Sequence, residues 1–175
     1  MSKTTIPTGG ITDATIATAD IAADAITGAK IADSAVTIAK ASGFGKVGQV
    51  VESTSIDTTA ITSTSFSDID LNVTITPTAT SSKVLIMIDF AYTQDGADNN
   101  LANIQMLRDS TAIGNHHVGY DNPGGNVGFG CHIQKLDSPN TTSEVTYKTQ
   151  ANTQNASSQF RPVGSASIIA IEILA

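Results

Sequence analysis

The stretch IDLNVTITPTATSSKVLIMIDFAY, residues 69–92, contains two strand patterns separated by a turn. Aliphatic and polar residues alternate from residue 69 to residue 75, which is typical of a strand with one buried face. Pro77 lies in the turn that follows, where a residue without a backbone N–H is tolerated. Around residues 84–88 both alternating sets are apolar, and this pattern predicts a strand in the middle of a sheet. The stretch therefore predicts a β-rich fold.

Similar strand patterns follow along the rest of the chain, separated by loops rich in Gly, Asn, Asp and Pro. They cover residues 104–107, a segment around Ile113, residues 127–133, residues 145–149 and the closing run SIIAIEILA, residues 167–175. In that run Ile169, Ile171 and Ile173 share a face, and we expect the chain end to be buried in a sheet or at a subunit contact. Six or seven strands without a convincing helix predict an all-β fold, a jelly-roll-like antiparallel β-sandwich.

Ahead of these strands, residues 11–40 read ITDATIATADIAADAITGAKIADSAVTIAK, three similar blocks of ten. Aliphatic residues recur at every fifth position, namely Ile11, Ile16, Ile21, Ile26, Ile31 and Val36. A helix advances about 100° per residue and a strand about 180°, so neither places these side chains on one face. Two architectures fit: a solenoid that bends once per five residues, and a homotrimer of extended chains that bury these residues against one another. We favour the homotrimer, because so short a solenoid lacks stacked neighbours. A disordered Ala/Thr linker is the third interpretation, and the regular aliphatic spacing argues against it.

Composition and charge restrict the partners. The formal charge is −7 and the pI is about 4.6, without a basic cluster in either half, so we expect no nucleic-acid partner. A single cysteine, Cys131, cannot form an intrachain disulfide. The longest apolar run is too short to span a membrane, and the first residues lack the apolar segment of a secretion signal. We therefore expect no membrane partner and synthesis without export.

The sequence does not predict an enzyme, and we expect neither a cofactor nor a bound metal. His116 and His117 are adjacent, so in a strand their side chains point to opposite faces and cannot chelate one ion together. The acidic stretch 95–100 lacks the spacing and the closing Glu of a calcium loop, so a polar turn is the better interpretation. Cys131 has no evident base beside it and is expected to be a buried apolar residue. Asp68 and Asp70 share a strand face, which is ordinary on a sandwich exterior.

The runs ITPTATSSKVLIMIDF, IQMLRDSTAIG and SASIIAIEILA resemble the carboxyl-terminal domain of bacteriophage virion fibre proteins. Many proteins of that family carry imperfect repeats of the ITDATIATAD type ahead of this domain. The resemblance covers residues 11–40 and 46–175, and its motifs are structural rather than catalytic. It implies a homotrimer with a virion-anchoring peptide at residues 1–10, a repetitive intertwined stalk at residues 11–45 and a β-sandwich knob at residues 46–175. The aliphatic residues of the repeat would then form the trimer core of the stalk.

This resemblance implies a location on the virion after assembly in the bacterial host cytoplasm. Because only about ten residues precede the repeat, we expect a capsid-mounted head fibre or decoration protein that also aids host-surface adsorption. The alternative is a tail fibre with a receptor-binding knob, and a bacterial surface adhesin is disfavoured by the missing export signal. The expected partners are further copies of the chain, a capsid or tail protein bound by residues 1–10, and a host cell-surface glycan. Polar loops would face such a receptor through Asp95, Asp98, Asn99, Tyr120 and Asn122.

Overall fold

The computed structural model describes residues 17, 19, 21–23, 25–32, 35, 46–95, 101–119 and 127–174. The chain divides into two compact units, Met1–Phe44 and Gly45–Ala175. The second unit contains the strands, and the first contains the repeat, whose described residues form turns and one short 3₁₀ segment, Gly28–Lys30.

Eight strands form in the part of the second unit that the structure describes. They are β1 (Lys46–Ser53), β2 (Ser67–Ile75), β3 (Lys83–Asp95), β4 (Leu101–Arg108), β5 (Thr111–Gly119), β6 (Val127–Asp137), β7 (Val145–Thr153) and β8 (Gln159–Leu174). Sheet A has the order β1-β8-β3-β6 and sheet B the order β2-β7-β4-β5, and every pairing is antiparallel. The chain changes sheet at each connection except the β4–β5 hairpin. This arrangement of eight strands is a jelly roll, so the predicted all-β sandwich is confirmed.

The core lies between the two sheets and is made of the inward-facing half of each strand. On β3 every second residue from Val84 to Tyr92 is at most 3% exposed, while the residues between them face outward. β3 is hydrogen-bonded to β6 on one side and to β8 on the other, as its two apolar faces predict. Side chains of this size contribute roughly 1.5–3 kcal/mol each when fully buried, so the alternation in the sequence translates directly into the sandwich core.

The sequence predicted six or seven strands, whereas the described part of the chain has eight. The strand that was not predicted is β1. Its sequence KVGQVVES does not alternate, since the register against β8 shifts between Val47 and Val50. Such an irregularity places two neighbouring residues on the same side of the bulge and breaks the period-two pattern. The bulge is also tight: a Cβ added at Gly48 would lie 2.8 Å from a carboxylate oxygen of Glu172. A glycine is therefore required at this position.

The register assigns the strand ends to two ends of the sandwich. Lys46 pairs with Leu174 at one end, which we call the entry end because residues 1–45 join the sandwich there. Asp95 pairs with Gln159 at the other end, and Leu101 pairs with Gly119 there as well. The connections 96–100, 120–126 and 154–158 therefore all leave from this second end, which we call the loop end.

Polar groups join the two sheets toward the entry end. Asp137 of sheet A accepts hydrogen bonds from Arg108 Nη1 at 2.7 Å and from the Tyr147 hydroxyl at 2.8 Å, and both donors belong to sheet B. Burial raises the pKa of Tyr147, and the hydrogen bond to Asp137 raises that pKa further. The loop-end half contains a cluster of aromatic rings, with those of Tyr92 and Phe160 stacked at 5.0 Å between centroids, together with buried polar residues such as Gln94 and Thr153.

The last residues of strand β8 face in the direction opposite to the one that their hydrophobicity predicts. Ile168, Ala170 and Glu172 are all 0% exposed and face the core, whereas the isoleucines at 169, 171 and 173 face outward and are half-buried. The inward carboxylate is fully hydrogen-bonded. Its Oε1 accepts from the Thr78 backbone N–H at 2.7 Å and hydroxyl at 2.8 Å, and its Oε2 accepts from Gln49 Nε2 at 2.8 Å. A buried carboxylate is tolerable only with such partners.

Candidate interaction surfaces

The repeat turns once per five residues. Backbone N–H groups of Ala25, Lys30 and Ala35 donate to the carbonyl oxygens three residues earlier, at 3.1, 2.9 and 3.0 Å. The described residues of the single chain thus form turns rather than one extended segment, and the extended, intertwined stalk stays a prediction. In this respect the repeat follows the bending predicted for a solenoid.

The aliphatic side chains of the repeat are nevertheless exposed. Ile21, Ile26 and Ile31 are 44%, 57% and 40% exposed, so they do not fill a core of their own as a solenoid would require. The other predicted core positions, Ile11, Ile16 and Val36, lie outside the described residues. Each described isoleucine directly precedes one of these turns, because the turn spacing equals the aliphatic spacing. The described part of the repeat therefore leaves one isoleucine unburied in every five residues of the single chain.

The predicted receptor-facing residues fall mostly outside the described part of the chain. Asp98, Asn99, Tyr120 and Asn122 lie there, and Asp95 is the exposed last residue of β3 rather than a loop residue. The pairing of the strands shows that both connections carrying these residues leave from the loop end. The fold thus directs the two predicted loops to the same end of the sandwich, and their contact with a receptor stays a prediction.

A groove that the sequence did not single out lies beside the β1–β2 connection. Its volume is about 290 Å³, and its lining includes the carboxylates of Asp57 and Asp68 with hydroxyls of Thr59, Ser63 and Ser67. Asp68 accepts from Gln150 Nε2 at 2.8 Å and pairs with Lys148 at 3.2 Å. These groups can hydrogen-bond a ligand rich in hydroxyls. The long Ser/Thr-rich run between two strands, residues 54–66, is the signal that could have indicated it.

The groove lies toward the loop end. Ile61 bridges to Phe160 near the start of β8, and the Ser63 carbonyl oxygen accepts from the Thr153 N–H at 2.9 Å at the end of β7. Asp57 accepts a hydrogen bond from the Thr59 N–H at 2.8 Å, and hydrogen bonding by Thr59 lowers the pKa of this exposed carboxyl. The Asp57 carboxyl of the groove is therefore held in the ionised form at the loop end.

The residues considered for chemistry lie partly in the core and partly on the exposed faces of the two sheets. Cys131 is buried, and burial together with the nearby Asp89 raises the pKa of its thiol to about 11, so the thiolate needed for nucleophilic attack is disfavoured. His132 lies 3.5 Å from Asp89 on the exposed face of sheet A, and His116 and His117 are exposed on the edge strand β5. Among the described residues no cluster of three or more His, Cys, Asp or Glu side chains could hold a metal ion.

Toward the entry end, the outer face of sheet A carries apolar residues on all four strands, whereas Asp89, His132 and Ser167 form a polar row farther toward the loop end. One cross-strand row reads Val50, Ile171, Leu85 and Leu136, from the edge strand β1 to the edge strand β6. Both ends of this row are open to solvent, with Val50 59% and Leu136 48% exposed. Such an unbroken apolar row on the outside of a sandwich is a mark of an interaction surface.

Adjacent rows extend this surface along the strands. Ile169 and Met87 form the next row, flanked by Glu52 and Gln134. On the opposite side, Val47 and Ile173 form a row that ends at Lys83. The eight apolar residues of these three rows are called the apolar belt below.

The outer face of sheet B is polar, in contrast to the apolar belt of sheet A. The row through its centre reads Asp68, Gln150, Gln105 and Asn115, again from one edge strand to the other. A sandwich face exposed to water normally has this polar composition. The two outer faces of one domain therefore differ in kind, and sheet A carries the surface that lacks a partner in the single chain.

The fold and its surfaces define a jelly-roll domain preceded by a short turn-forming repeat. No protein-family model and no curated protein sequence matches the chain. Eighteen chains of solved structures match it. One of them belongs to "Structure of infectious bursal disease virus Gx strain", with a TM-score of 0.38 and 12% sequence identity, covering 71% of this chain and 32% of that chain. The protein thus spans about a third of that viral chain, and at this level the likeness carries no argument about function. In the described part of the chain, no helix has the length and apolar character needed to cross a membrane.

Proposed function

We propose that this protein is a structural fibre component of a bacteriophage virion, a homotrimer mounted on the capsid that aids adsorption to the host surface. Its repeat forms the stalk, and its jelly roll forms the knob. The observation that carries this proposal is the exposure of the isoleucines at 21, 26 and 31, one in every five residues. Burial of such a side chain is worth roughly 1.5–3 kcal/mol, and partner chains with the same residues would supply it.

The two ends of the sandwich support the same role. The repeat joins the knob at Lys46 at the entry end, while the connections 96–100 and 120–126 leave from the loop end. A knob held by its entry end directs its loops and the groove beside Asp57 away from the attachment point. Loops carried by a rigid scaffold are a common place for recognition. A host glycan, whose hydroxyls suit the Ser, Thr and Asp side chains of the groove, is the proposed receptor.

Light scattering on the full chain tests the assembly. We expect a mass of three chains, and we expect Ile21→Asp with Ile31→Asp to shorten the particle or to dissociate it, as seen by sedimentation and small-angle scattering. Thr27→Asp with Ala32→Asp is the matched control, since it adds the same charge at exposed positions of the repeat outside the Ile/Val positions. A wild-type mass of one chain, or an equal effect of both double variants, would refute the stalk.

Immunogold electron microscopy of phage particles that contain the protein tests the mounting. Gold on the capsid supports the head fibre, whereas gold on the tail supports the alternative, a tail fibre with a receptor-binding knob. Adsorption is tested by adding purified protein to host cells before infection. We expect fewer adsorbed phage, and Asp57→Ala should weaken this competition if the groove binds the receptor. Unchanged adsorption at saturating protein would leave a purely structural fibre.

A further inference from the structure

The entry-end part of the outer face of sheet A is largely apolar, and it ends at the polar row of Asp89, His132 and Ser167. A slip of β8 by one residue would turn Ile169, Ile171 and Ile173 inward and Glu172 outward, because side chains alternate along a strand. The chain instead holds Glu172 inside with hydrogen bonds from Gln49 and Thr78, and leaves the three isoleucines outside. This register leaves the three isoleucines only half-buried in the single chain, so a surface that covers them would stabilise the fold further.

We infer that the apolar belt lines a threefold axis, so that sheet A of each of three copies forms one wall of a closed triangular core between the knobs. The inference rests on the proposed homotrimer and assigns the surface that holds the knobs together. The occupant of the belt is thus the belt of two further copies of this chain. The knobs then assemble through their own faces, independently of the repeat.

The width of sheet A fits this closure. Facing sheets pack about 10 Å apart, so side chains extend about 5 Å from each sheet, and three walls about 5 Å from a common axis form a triangle with sides of about 17 Å. Four strands about 4.8 Å apart span about 14 Å between the edge strands and about 19 Å with half a spacing on either side. A four-stranded wall therefore encloses a space that its own side chains fill.

The belt covers a substantial part of each wall. Its three rows, about 7 Å apart along the strands and about 19 Å wide with their polar ends included, span about 400 Å² in each copy and about 1,200 Å² in the trimer as a whole. The belt runs from the β1 edge to the β6 edge without a polar interruption in its central row. Lys83 and Glu52 border it at different levels along the strands, where the ends of the triangular core are open to water.

The arrangement agrees with the direction of the chain. With the strands running along the threefold axis, residues of one row lie at the same height in all three copies. Lys46 then lies at the same end of each wall, so that three repeats start side by side, as a common stalk requires. At each corner the β1 edge of one copy meets the β6 edge of the next. Val50 of one copy therefore lies beside Leu136 of its neighbour.

Paired cysteines at these two positions test the corner contact. Within one chain they lie on opposite edges of sheet A, about 14 Å apart, which exceeds the roughly 7 Å that a disulfide can bridge. We expect the full-length Val50→Cys/Leu136→Cys variant, treated with oxidised glutathione, to form a covalent trimer on non-reducing gels that reverts to single chains on reduction. Native Cys131 does not interfere, because it is buried with its thiol pKa raised to about 11.

The matched control is Asp68→Cys/Asn115→Cys, which places the same pair at the two edges of the polar row of sheet B. It should give no covalent trimer, and equal cross-linking of both pairs would overturn the inference. A covalent dimer without trimer would overturn the threefold arrangement. Absence of cross-links in a protein whose wild-type mass is three chains would overturn the role of the belt and leave the proposed fibre intact. A wild-type mass of one chain would overturn both proposals.

Discussion

The Glu172→Gln substitution probes a carboxylate that is completely buried, the only such carboxylate among the described residues. Glu172 is 0% exposed, and its two oxygens accept three hydrogen bonds of 2.7–2.8 Å from Gln49 and Thr78. Glutamine keeps the size and shape of the side chain but replaces one accepting oxygen with a donating amide. Whichever way the amide is turned, one of these donors then faces a second donor instead of an acceptor.

The magnitude follows from the pKa of Glu172. Burial raises this pKa, but the hydrogen bonds from Gln49 and Thr78 outweigh burial and lower it from 4.5 to about 2. At about 1.4 kcal/mol per pH unit, this difference between the unfolded and folded states corresponds to about 3 kcal/mol. The folded pKa is the lower one, so the contribution is complete above pH 4.5 and is lost as the pH falls from 4.5 to about 2.

Urea unfolding followed by circular dichroism measures the effect at fixed protein concentration. At pH 7 we expect Glu172→Gln to lower the free energy of unfolding by about 3 kcal/mol, and we expect the difference from wild type to shrink toward zero near pH 2. Glu144→Gln is the control, because it removes the same charge from an exposed residue. Equal unfolding curves for the two variants at pH 7, or a wild-type advantage that persists unchanged at pH 2, would refute the reasoning.

Three further predictions concern the sandwich. Asp137→Ala leaves the buried hydroxyl of Tyr147 without its acceptor and should cost about 3 kcal/mol in thermal unfolding, against little change for the exposed Asp95→Ala. The Thr149 hydroxyl is buried without a hydrogen-bond partner in the described part of the chain, so Thr149→Val should stabilise by about 1 kcal/mol; a lower urea midpoint would show that the hydroxyl is satisfied. The thiol of Cys131 should resist Ellman's reagent at pH 8 until the protein unfolds, and rapid reaction of the native protein would contradict its burial.

The sequence predicted the strands whose outward residues differ from their inward ones. Alternation located β2 and β6, and the doubly apolar run identified β3 as central. β1 was not predicted, because a bulge between Val47 and Val50 breaks the alternation of apolar and polar residues. The orientation of β8 could not be predicted either, since its sequence offers two faces and hydrophobicity alone favours burying the three isoleucines rather than Glu172. The orientation of β8 is set by the hydrogen-bond donors to that carboxylate, which come from residues 49 and 78.

The candidate surfaces were predictable to different degrees. The five-residue spacing of the repeat is visible in the sequence. The structure leaves Ile21, Ile26 and Ile31 exposed in the single chain, where partner chains could cover them. The favoured homotrimer did not predict the turns of the repeat. The spacing of aliphatic residues indicates where side chains lie, and it does not indicate how the backbone is hydrogen-bonded. The apolar belt was hidden because its residues come from four strands distant in sequence, and they become neighbours only through the sheet order.

The separation of the entry end from the loop end lets the two ends change independently. The hydrogen bonds of Glu172 and Asp137 lie toward the entry end and tie each side chain to a distant segment, so substitutions there act on the whole fold. The connections 96–100, 120–126 and 154–158 leave from the opposite end and join strands whose registers are already fixed by their pairing. Peptides grafted into these connections should therefore be displayed without loss of the scaffold, and variation among natural relatives should concentrate at the same end.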